Sequence, residues 1–160
     1  MSASTKEVVS SLTNDPRVVS KPGTYMVDID KVPWTEFIFP KSYFKLLNFD
    51  ADRGKSTLLV KSEKGAPTYL HKHVGAAEIY VIKGSFSYEE GTANTGSYVH
   101  EAGGVVHIAQ AEDEVLAYVT FHGPLVGFND DNSISGLCDV DLFYDLAKKN
   151  NAVGHLPPRR

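Results

Sequence analysis

The residues best equipped for chemistry in this sequence are three histidines. His71 and His73 stand two apart in Gly65-Ala-Pro-Thr-Tyr-Leu-His71-Lys-His73, a β-prone context in which period-two alternation turns both imidazoles to one face. Their Cβ atoms would lie about 6.5–7 Å apart, so both rings could converge on one divalent ion at about 2.0–2.2 Å each. A His-x-His pair by itself is equally the pattern of an exposed strand or of hydrogen-bonded core histidines. A second segment narrows the choice: in Gly96-Ser-Tyr-Val-His-Glu101-Ala-Gly-Gly104-Val-Val-His107 a strand, a glycine-rich turn and a third histidine follow in order.

Together the two segments resemble the cupin superfamily. Its first motif runs glycine, five residues, His-x-His, a glutamate three or four residues on, and a closing glycine; Gly65, His71, His73, Glu78 and Gly84 answer it. Its second motif runs glycine, five residues, Pro-x-Gly, two residues and a histidine, answered by Gly96, Gly104 and His107. The family proline is Ala102 here, and an asparagine often found four residues after the last histidine is Ala111. The resemblance implies an all-β, cupin-type double-stranded β-helix, a jelly-roll barrel, with His71, His73 and His107 as metal ligands.

The spacing around Glu78 departs from the pattern. Family members whose glutamate binds metal usually leave six residues before the closing glycine, and Glu78 to Gly84 leaves five, which puts Ala77 at the ligand position. A one-residue offset on a strand reverses the side chain's face, so the expectation is a three-histidine site without Glu78. A bulge in Val74-Gly75-Ala76-Ala77 would restore its direction and stands as the alternative.

Three neutral imidazoles would leave the ion's charge uncompensated and positions open for water, substrate or dioxygen. Such a site suits anionic chelating ligands, for example the enolate of a β-diketone or an α-hydroxyketone. Within cupins the chain resembles the acetylacetone-cleaving and 2,4′-dihydroxyacetophenone dioxygenases over roughly residues 34–128. That likeness implies a divalent ion, with Fe(II) first and Zn, Ni or Mn as alternatives, and a small-molecule substrate cleaved at a carbon–carbon bond with O2. In those relatives a glutamate six residues before the last histidine lies near the metal without binding it, and Glu101 matches it. The likeness implies that Glu101 orients a ligand imidazole or water, or accepts the substrate proton; a solvated glutamate at a strand end gives the same pattern. The resemblance also extends to the cupin domain of ChrR-type anti-sigma factors, which implies the other function class, a non-catalytic zinc-binding sensor or regulatory module.

The elements that must position these residues are mostly strands. From Tyr43 to His122 short β-prone runs alternate with turn signals: residues 43–49, 56–60, 78–82, 85–89, 97–100 and 115–121, separated by segments such as Asp52-Arg53-Gly54, Lys83-Gly84 and Gly103-Gly104. Val140, Phe143, Tyr144 and Ala147 recur at helical spacing behind Asp139, which predicts one C-terminal helix over about 139–150. The expected organisation is a single domain of residues 1–160, with a barrel core at about 34–128, an N-terminal arm over 1–22 and a loose tail over 156–160. His100 and His122, near strand ends, read as surface or hydrogen-bonded residues, and His155 as solvent-facing. Trp34, Tyr69, Tyr118, Phe121 and Phe128 are candidates for an apolar pocket wall. If Ile79 and Val81 face inward, Tyr80 and Ile82 lie outside and need cover, which predicts a homodimer or higher homo-oligomer.

Composition excludes other classes. The chain has 160 residues and a net charge of −4, with basic residues scattered rather than striped, so neither nucleic acid nor a membrane surface is an expected partner. Cys138 is the single cysteine, which leaves no internal disulfide and no Cys-x-x-Cys metal or redox pair. The polar N-terminus carries no apolar signal region and no long apolar run follows, so a cytoplasmic protein is expected.

Overall fold

A computed structural model of the chain describes residues 18–21 and 24–157. Fifteen strands and one α-helix lie among them, and the fold is the expected all-β cupin barrel. A hairpin of β1 (Val18–Lys21) and β2 (Thr24–Val27) comes first. Part of the predicted arm is thus a regular strand, and residues 1–17 lie outside the described residues.

One wall is a six-stranded antiparallel sheet in the order β10-β7-β13-β5-β4-β3. Its strands are β3 (Thr35–Glu36), β4 (Ser42–Asp50), β5 (Lys55–Ser62), β7 (Ala77–Lys83), β10 (Tyr98–Glu101) and β13 (Val115–Phe121). The opposite wall comes from two smaller sheets. One runs β11 (Val106–His107), β6 (His71–His73), β14 (Leu125–Phe128) and β15 (Ile134–Cys138); the other runs β12 (Gln110–Ala111), β8 (Ser85–Tyr88) and β9 (Gly91–Asn94).

Alternation decides what faces inward. On β7, Ala77, Ile79 and Val81 are buried while Tyr80 and Ile82 are exposed; on β13, Val115, Ala117, Val119 and Phe121 are buried. These apolar faces meet Phe86, Leu125 and Ala111 from the smaller sheets in one core, and their removal from water is the main driving force for closing the barrel.

The helix α1 (Val140–Lys149) begins where the sequence places it, with the Asp139 carboxylate accepting from the Leu142 amide at 2.9 Å. Its fully buried Phe143 stacks on Phe121 (ring centroids 5.9 Å, 10°) and Phe37 (5.5 Å). Phe121 in turn lies against the His73 ring at 6.0 Å. The helix therefore packs on β4, β3 and β5 and reaches the His73 ring through Phe121 of β13.

After the helix the chain does not trail off. His155 is fully buried and its Nε2–H donates to the Leu46 carbonyl at 2.7 Å, and Leu156 beside it is buried as well. This corrects the solvent-facing histidine that the sequence suggests, and Leu156, the first residue of the expected tail, is packed rather than loose. The reason is a β-bulge between Leu46 and Asn48, where β4 slips against β5. A bulge leaves backbone groups without ladder partners, and His155 takes the Leu46 carbonyl while the Tyr25 hydroxyl takes that of Leu47 at 2.8 Å. Residues 158–160 lie outside the described residues.

Candidate metal centre

β6 holds His71 and His73 inward with Lys72 outward between them. β11 pairs with β6 so that His107 stands directly across from His71. The turn leading into β11 is fixed by Gly104, which adopts φ +95° and donates its amide to the His73 carbonyl at 2.7 Å; a side chain disfavours that backbone conformation. The His73 amide donates in return to the Val105 carbonyl at 2.9 Å.

The three Nε2 atoms form a nearly equilateral triangle, with 3.2 Å between His71 and His73, 3.0 Å between His73 and His107, and 3.1 Å between His107 and His71. His71 Nδ1–H donates to the Tyr69 carbonyl at 2.8 Å, which leaves its Nε2 with a free lone pair. Burial is the main cause that lowers all three imidazoles' pKa values, His73 to about 3 and His107 to about 4, so they are neutral at pH 7. The buried His73 Nδ1 has no hydrogen-bond partner among the described residues.

Converging neutral ring nitrogens repel unless a proton or cation lies between them. A divalent ion about 2.1 Å from each nitrogen would see angles of about 95° between them, closer to one face of an octahedron than to a tetrahedron. The group therefore fits a metal ion, and among the described residues it is the cluster of three such side chains that does.

Glu101 closes the site from the opposite sheet. Its buried carboxylate places Oε2 3.1 Å from His73 Nε2 and Oε1 3.7 Å from His107 Nε2. Burial raises its pKa, and a hydrogen bond from the Tyr88 hydroxyl to Oε1 works in the other direction. Glu78 points away: its carboxylate accepts from the Tyr98 hydroxyl at 2.9 Å and pairs with His122 at 2.8 Å on the outer surface. His100, across from Glu78 on β10, is also on that side.

A cavity of about 130 Å³ extends from the histidines. Its walls include Phe37, Phe39, Ile79, Phe86, Val119 and Phe121, and no Lys or Arg lines it among the described residues. Of the aromatic residues singled out by sequence, Phe121 alone is in the wall. Tyr69 is exposed and serves the site through its backbone carbonyl, Tyr118 is on the outer face, and Trp34 meets the ammonium groups of Lys45 and Lys61 at 4.6 and 4.8 Å. Phe37, Phe39, Phe86 and Tyr88 were not legible as wall residues, because their directions depend on loop and sheet closure rather than on local alternation.

The same architecture recurs in solved structures. A candidate acetylacetone dioxygenase from Methylibium petroleiphilum PM1 is 25% identical, with a TM-score of 0.71 over 79% of this chain and 96% of that one. The acetylacetone dioxygenase from Acinetobacter johnsonii is 20% identical, with a TM-score of 0.69 over 84% of this chain and 96% of that one. The Rhodobacter sphaeroides complex of SigE with the anti-sigma ChrR is 17% identical, with a TM-score of 0.51 over 76% and 69%. No curated protein matches the chain. Residues 22–126 match the model of the ChrR cupin-like domain, and that stretch carries both histidine segments, Glu101 and most of the cavity wall. The chain belongs to the ChrR cupin-like domain family.

Proposed function

We propose that the protein is a metal-dependent dioxygenase, with Fe(II) as its ion, that cleaves a carbon–carbon bond of a small β-diketone or α-hydroxyketone taken up as its enolate. The observation that carries this reading is the placement of the histidine triangle and the Glu101 carboxylate together in the wall of a largely apolar cavity. His71, His73 and His107 would hold the ion. When bound, it supplies Lewis acidity toward enolate oxygens and a redox partner for dioxygen.

The chain's own groups prepare the substrate. Glu101 Oε2 accepts the proton from the carbon beside the carbonyl, and burial, which raises its carboxyl, makes it a better base than an exposed glutamate. The mostly apolar walls limit water and suit a ketone that enters uncharged and becomes anionic only as its enolate, and no Lys or Arg among the described residues lines the cavity to hold a second anionic group. The cavity size suits a small molecule, since an engineered cavity of about 150 Å³ admits benzene. The protein acts in this reading as a cytoplasmic homodimer.

Oxygen uptake by the Fe(II)-loaded protein, measured with a panel of β-diketones and aryl α-hydroxyketones, tests the proposal. Uptake matching ketone loss is expected. A second reading, a non-catalytic zinc-binding regulatory module, is favoured by the ChrR cupin-like match. No uptake across the panel, with zinc held tightly, decides for that module.

A further inference from the structure

Tyr88 is a polar residue of the cavity wall, in contact with both Glu101 and His107, that neither the ligand triangle nor the proton step yet uses. It ends β8, and its ring touches two others: the His107 imidazole stacks on it at 4.9 Å and 13°, and Phe86 meets it edge-on at 5.3 Å and 87°. Its hydroxyl donates to Glu101 Oε1. The other carboxylate oxygen, Oε2, is the one nearest His73. A buried carboxylate that lacks a donor is costly and free to rotate, whereas one oxygen held by a fixed phenol leaves the other in a defined place.

We propose that Tyr88 is a positioning residue that holds Glu101 Oε1 so that Oε2 faces the substrate carbon; this rests on the enolate reading of the cavity. In the step it serves, the C–H bond beside the carbonyl breaks and its electron pair enters the ketone as the enolate. The proton forms an O–H bond at Glu101 Oε2. The Tyr88 O–H stays intact and donates to Oε1 throughout. A tyrosine that only fills volume would make the same ring contacts, so the hydroxyl is the part that discriminates.

Tyr88→Phe keeps the ring and removes the hydroxyl, and two readouts then decide. In the Co2+-loaded protein without substrate, the visible absorption bands of Tyr88→Phe are expected to shift from wild type in the same direction as those of Glu101→Gln. In the Zn2+-loaded protein under nitrogen, the diketonate absorbance of added acetylacetone is expected to appear on the order of tenfold or more slowly in Tyr88→Phe. The double variant is expected to be no slower than Glu101→Gln alone, because the two residues act as one unit. An unshifted cobalt spectrum, a wild-type rate, or losses that add in the double variant overturns the assignment. If wild type itself forms no diketonate with any ketone, the dioxygenase reading fails, and the cobalt spectra alone decide the role of Tyr88.

Discussion

Glu101 stands directly across from Ala77 in the antiparallel register of β10 and β7. Cross-strand partners share a face with Cβ atoms about 5 Å apart, and both residues are buried. The methyl group of Ala77 thus leaves room on the inner face for the carboxylate that its neighbour supplies. Ala77→Glu is expected to crowd a second carboxylate against Glu101 and destabilise the metal-free protein by about 2–4 kcal/mol. Urea unfolding reads this directly, and a variant as stable as wild type would show that the inner face has space to spare.

A metal ion held by the triangle of ring nitrogens would be a source of stability. At a free ion concentration about a hundred times its dissociation constant, binding contributes about 2.7 kcal/mol, which for a domain of this size corresponds to a Tm shift of about 5–10 °C. Chelation is expected to lower the wild-type Tm by that amount. His71→Ala, His73→Ala and His107→Ala should each lose the bound metal in elemental analysis and show no Tm response to chelator. Metal retained at wild-type stoichiometry in any of the three would remove that histidine from the ligand set.

Gly75 ties the loop after His73 to the rest of the barrel. A Cβ there would stand 2.2 Å from the His122 carbonyl oxygen, which is backbone and cannot swing aside. Gly75→Ala is expected to cost about 2–4 kcal/mol and, because His73 is close by in the chain, to weaken metal binding by about tenfold. Denaturant unfolding and a Zn2+ titration check the two effects separately.

Cys138 is buried, and burial first, then the nearby Asp139 charge, pushes its thiol up to about 12. The folded protein should resist iodoacetamide at about pH 8 and react once unfolded. The unfolded thiol ionises near its ordinary value of 9.0 while the folded one stays protonated. The unfolded state therefore sheds this proton first, and the cysteine's effect is a loss of stability as pH rises from about 9 toward 12, with none below that window. Cys138→Ala should flatten this part of the stability profile.

Tyr98, Tyr80 and Tyr118 lie side by side on adjacent strands of the outer face, all exposed. A homodimer that covers this row should appear by light scattering at micromolar concentration, and Tyr80→Glu should convert it to monomer. A monomeric wild type at that concentration counts against the expected assembly.

Local features were legible from the order of residues: the alternation of β7 into the core, the start of α1, and the shared face of His71 and His73. They follow from periods of about 2.0 and 3.6 residues and from helix capping, all readable over a short stretch of chain. Family spacing added His107 and Glu101 as candidates, and the offset at Glu78 anticipated that its carboxylate would face outward. The remaining features came from closure of the barrel. The Nε2 triangle, the Tyr88 hydroxyl on Glu101, and the burial of His155 against a bulge in β4 each join segments that are apart in the chain. Such contacts depend on sheet closure and register, and a bulge or turn that sets them leaves little trace in local composition.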